Sequence, residues 1–117
     1  QDKFRKADLY YNLGVLNMQL NNYNDADIAF EEAYYLNEED FEALLGMATL
    51  YEQLGDKYFN GTEENFEKDY FQAERWYKKA RSKLRSLNEI DIDNQSKYAK
   101  AIKLIDYKMN ISIENQK

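Results

Sequence analysis

The chain has 117 residues, 44% hydrophobic and 32% charged, with a formal charge of −6, which suits one small soluble domain with a single core. No apolar run approaches the ~18 residues of a membrane-spanning helix, so neither a membrane insertion nor a signal peptide is expected. Cysteine and histidine are both absent, which excludes disulfides, thiolate zinc sites, imidazole ligands and the commonest general base, and no metal or cofactor is expected.

In chain order, Leu9, Leu13, Leu16 and Leu20 recur at helical spacing, Asn21-Asn22 marks a tight turn, and Ile28, Phe30, Ala33 and Leu36 continue as a second helix. The order restarts at Phe41, with Leu44, Leu45, Ala48, Leu50, Tyr51 and Leu54. A third stretch, about 94–110, carries Tyr98, Ala101, Ile102, Ile105 and Met109 on one side and Lys97, Lys100, Lys103 and Lys108 mostly elsewhere, and is expected to cover the open end of the second hairpin. The fold class expected is all-α, built of antiparallel helical hairpins.

Two of these hairpins carry a shared motif. The first has Tyr10, Leu13, Gly14 and Asn17, then Ala26, Phe30 and Ala33; the second has Leu44, Met47, Ala48 and Tyr51, then Ala73, Tyr77 and Ala80. The pattern resembles the tetratricopeptide repeat, a 34-residue pair of helices with a large residue, Leu-Gly and Tyr on the first helix and Ala and Phe on the second. Small residues at Gly14 and Ala48 let paired helices approach, and Ala26, Ala33, Ala73 and Ala80 leave gaps for Tyr10, Phe30, Leu44 or Tyr77. The resemblance implies a short right-handed superhelix within a single domain, 1–117: unit one at about 7–40, unit two at about 41–87, and the terminal helix as its cap. Where the family places proline, this chain has Asn37-Glu38-Glu39-Asp40 and Ser86-Leu87-Asn88-Glu89, polar stretches suited to stopping one helix and capping the next.

Spacing locates one departure. Gly14 to Ala48 is 34 residues, but Ala26 to Ala73 is 47, so an insertion occupies Lys57 through Asp69. Asn60-Gly61 signals a turn, and Thr62 is expected to cap a helix running through Phe66 into the next one. Tyr58, Phe59 and Phe66 are large rings for a turn; they either fold back on the hairpin edge or form a binding patch.

In the family the first helices line a concave groove. The resemblance therefore nominates Asp8, Tyr11, Asn12, Val15, Met18 and Gln19 from unit one, and Glu42, Leu45, Gly46, Thr49, Glu52 and Gln53 from unit two. The set is acidic and partly apolar, and lacks the basic clamps with which some members grip the C-terminal carboxylate of a chaperone. Tyr51 is a further candidate for the groove or for the core.

Charge is uneven along the chain: residues 1–65 hold 14 acidic and 4 basic side chains, and residues 66–117 hold 8 and 12. The basic run from Trp76 to Arg85 puts Lys78, Arg81 and Arg85 on one helical face, yet the chain is acidic and shows no nucleic-acid motif, so no nucleic-acid partner is expected. Glu38, Glu39 and Asp40 read as a solvated turn rather than a catalytic pocket. The triplets beginning at Asn60 and Asn110 match the glycosylation pattern only as an Asn-rich chain does by chance. The expected function is non-catalytic: recognition of another protein or peptide through the groove and the insertion, with self-association as a homo-oligomer the alternative. The first residue is Gln1, as in a mature product or an excised domain, so the compartment stays open between cytoplasm and cell envelope. The bias toward Asn, Lys, Ile and Tyr fits an AT-rich, bacterial or parasitic source.

Overall fold

The computed structural model describes residues 2–117, and every absence noted below is of these residues. They form five α-helices and one 3-10 turn: α1 (Asp2–Gln19), α2 (Tyr23–Leu36), α3 (Phe41–Asn60), α4 (Tyr70–Ile90), the turn Ile92–Asn94, and α5 (Gln95–Glu114). The fold is all-α. Consecutive helices pack as antiparallel pairs, and α1 also touches α3. The molecule is a slab of 50 × 32 × 16 Å with a radius of gyration of 14.7 Å, against about 13 Å for a compact domain of this length. A stack this thin exposes much of each helix.

Each boundary has a local cause. Asn21 takes a left-handed φ of 62° between α1 and α2, and Asp40 starts α3 by accepting the Glu42 N–H at 2.9 Å. The α2–α3 link therefore behaves as the polar run Asn37–Asp40 predicts. The second polar run does not: α4 continues through Ser86–Glu89 to Ile90, because Leu87 is a fully buried core residue and the helix must reach it. The stop comes at Asp91, a buried carboxylate that accepts from Tyr98 Oη at 2.6 Å and Asn94 Nδ2 at 3.0 Å.

The insertion lengthens the first helix of its hairpin, not the second as the Thr62 cap predicted. α3 runs on to Asn60 because Tyr58 and Phe59 continue its apolar face against the core. Gly61 ends it at φ 62°, its N–H donating to the Lys57 carbonyl at 2.9 Å. Residues 61–69 return as a loop closed by the Asp69 N–H on the Tyr58 carbonyl at 2.9 Å, and Asp69, not Thr62, caps α4 by accepting the Gln72 N–H at 3.0 Å.

The core follows the expected gaps. Ala26 and Ala73, Phe30 and Tyr77, Ala33 and Ala80 are all fully buried, joined by Leu44, Met47, Leu50, Tyr51, Leu84, Leu87, Ile105 and Met109. α5 covers α4 with Tyr98, Ile105, Met109 and Ser112 buried. One expectation is overturned in α1: Tyr10, expected to fill a gap left by the small residues, lies exposed, and so do the helically spaced Leu9, Leu13, Leu16 and Leu20 and, on α2, Ile28. Periodicity identifies an apolar face without saying whether a neighbour covers it. α1 buries Ala7 and Gly14 against α2 instead.

Candidate functional site

The candidate face begins with Phe30, which sets how close α1 and α3 stand. Its ring is fully buried and lies against both Gly14 and Gly46, where an added Cβ would come within 2.6 and 2.7 Å of ring carbons. Gly46 therefore belongs to the packing rather than to a free groove, a correction to its nomination above. Tyr51 is also core: it is buried, and its hydroxyl donates to Asp27.

Over this floor the other nominated residues divide into two sets. Tyr11, Val15 and Met18 are half-buried and pack on the core, Tyr11 with its ring centroid 5.8 Å from that of Phe30. Asp8, Asn12, Gln19, Glu42, Leu45, Thr49 and Gln53 are exposed. α1 and α3 converge where burial, then Glu42, then Asp40, raise the pKa of the Tyr11 phenol above its ordinary value. At that end the charges are acidic: exposed Asp8 and Glu42, and Asp40, which caps α3. Farther along stand amides and a hydroxyl, Asn12, Gln19, Gln53 and Thr49, which can bond both donors and acceptors of a backbone.

Glu52 is not free. Lys108 of α5 donates to Glu52 Oε2 at 3.2 Å and to Asp56 Oδ1 at 3.0 Å, and Asp56 also accepts from Tyr77 Oη at 2.6 Å. Burial lowers the Lys108 pKa, but the hydrogen bond to Asp56 and the two carboxylate charges more than offset it, and the net shift is upward. This pairing ties α5 to α3. Sequence reasoning missed it: Lys108 sits among Lys97, Lys100 and Lys103, and its acceptors are 56 and 52 residues away. Beside it, Gln53, Asp56, Lys57, Asn60, Thr62 and Glu63 surround an open polar cleft of about 250 Å³.

The three insertion rings are half-buried. Phe66 meets Tyr58 and Tyr23 edge-on at 5.1 and 5.9 Å, beneath Lys57, whose ammonium is 5.5 Å from the Phe66 centroid and pairs with Glu63. Phe59 meets Tyr70 and Tyr77 at 5.6 and 6.3 Å. In the basic stretch of α4, Lys78 pairs with Glu74 at 3.3 Å and Arg81 with Asp106 at 2.9 Å, while Lys79 lies 4.7 Å from the Trp76 ring. Among the described residues no three acidic side chains gather as a metal site would require, and no helix is long and apolar enough to cross a membrane.

Comparison with protein-family models, curated proteins and solved structures gives no match for this chain.

Proposed function

We propose that this chain is a non-catalytic protein-interaction module of the tetratricopeptide-repeat kind, and that it binds an extended peptide segment along the α1–α3 face. The observation that carries the reading is the row of exposed, unpaired polar side chains, Asn12, Gln19, Thr49 and Gln53, over the half-buried Tyr11, Val15 and Met18. Amides satisfy the peptide backbone, while apolar side chains of the ligand find area against Leu45, Val15 and Met18. Asp8 and Glu42, exposed on the face, select a ligand with Lys or Arg near one end. Tyr58, Phe59 and Phe66 take the smaller part, since each is already engaged by neighbouring rings, and flank the face at the far end of α3.

Selection from a random peptide library on the immobilised chain tests this. Peptides with basic residues beside apolar ones should be enriched, and Asp8→Lys with Glu42→Lys should lose them while keeping the helical circular-dichroism signal. Absence of any enriched class, or equal binding by the charge-reversed variant, contradicts the reading.

A further inference from the structure

α1 turns a second face to solvent, distinct from the groove. Leu9, Leu13, Leu16 and Leu20 are 63, 45, 50 and 59% exposed, whereas the residues 34 positions later on α3, Ala43, Met47, Leu50 and Leu54, are at most 6% exposed. The same register is thus a packed seam in one helix and a bare one in the other. From Leu9 to Asn24 there is no Asp, Glu, Lys or Arg, in a chain that is 32% charged. No charge in that run solvates the stripe, and a continuous apolar stripe of this kind marks an interaction surface.

We infer that this stripe is where two copies of the chain pair, α1 against α1 of the second copy, antiparallel about a two-fold axis between Leu13 and Leu16. The spacing admits a second copy as occupant: 4, 3 and 4 residues separate the leucines, a sequence that reads the same in both directions. An isologous pair needs such a self-complementary pattern, and it sets Leu9 opposite Leu20 and Leu13 opposite Leu16. Charge favours the antiparallel orientation over a parallel one. Lys6, beside Leu9, Tyr10 and Leu13, lies one turn before the stripe and reaches the far end of the opposing α1. There it comes near Asp25, an exposed carboxylate in the first turn of α2. In a parallel pair Lys6 would face its own copy. The opposite end of the slab offers no match, because Leu104 and Tyr107, exposed on α5, stand among exposed Lys97, Lys100 and Lys103.

Sedimentation equilibrium over a concentration series decides it. The mass should rise from 14.0 kDa to twice that value and stop. Leu13→Lys with Leu16→Lys should weaken pairing by about tenfold or more with an unchanged circular-dichroism spectrum. Lys6→Glu should weaken it, and Lys6→Glu with Asp25→Lys should restore it. Because the chain has no cysteine, orientation is readable directly: Leu9→Cys mixed with Leu20→Cys should cross-link on oxidation, and Leu9→Cys alone should not. A monomer at every concentration overturns the proposal, as does a mass climbing past the dimer or Leu9→Cys cross-linking to itself.

Discussion

Gly46 of α3 touches the ring of Phe30 so closely that a methyl group there would stand 2.7 Å from Cε1. Gly14 closes the other contact, so the ring has little room to shift. Alanine is favoured over glycine in a helix by about 1 kcal/mol, but overpacking a filled core costs about 1–3 kcal/mol. Gly46→Ala should therefore lower unfolding free energy by roughly 1 kcal/mol. Denaturant melts of Gly46→Ala, Phe30→Leu and the double variant check this, and the double should lose at least about 0.5 kcal/mol less than the two singles together.

Phe59 and Phe66 share the insertion but differ in depth. Phe59 reaches Tyr70 and Tyr77, and Phe66 packs farther out on Tyr23 and Tyr58. Phe59→Ala should cost about 2–3 kcal/mol and Phe66→Ala less. Both variants should lose less affinity for groove-selected peptides near neutral pH than the Asp8→Lys, Glu42→Lys variant does, measured by fluorescence anisotropy below their melting temperatures.

Lys108→Met removes the cation that Glu52 and Asp56 share. The pairs are partly exposed, so the stability loss should be modest, about 1 kcal/mol. The sharper readout is hydrogen exchange. Amides of α5 should exchange faster while those of α2 keep their protection, and unchanged α5 protection would show that the pairing does not hold the helix.

Alkali should unfold the protein through its tyrosines. Burial and the hydrogen bond to Asp91 push the Tyr98 phenol up to about 12, and burial with Asp27 or Asp56 moves Tyr51 and Tyr77 upward as well. A phenol whose pKa is higher folded than unfolded stabilises the fold fully below the unfolded value near ~10. That stabilisation is lost as pH rises through the folded value, so stability should hold to about pH 9 and fall between about 10 and 12. Urea melts across that range should show the fall, less steep in Tyr98→Phe.

Much of the fold was legible because helical spacing and small–large pairing act locally: Ala26, Phe30 and Ala33, and Ala73, Tyr77 and Ala80, were read as packing partners and are all buried. Asp8, Asn12, Thr49 and Gln53, nominated by register, are exposed. What could not be read depended on distant neighbours. The leucines of α1 look like those of any core helix until the absence of a covering helix is seen, and Lys108 differs from nearby lysines only in what α3 brings to it. The loop return was misjudged for a similar reason, since Thr62 and Asp69 are both good caps and the packing of Tyr58 and Phe59 decides between them.

The most direct measurement is the amide spectrum of the isotope-labelled chain on addition of the tightest peptide from the library selection. Recognition along the groove predicts shifts at Asn12, Gln19, Thr49 and Gln53, with little change in 61–69 or on α4. Shifts confined to the insertion loop or to α2 and α4 would contradict it.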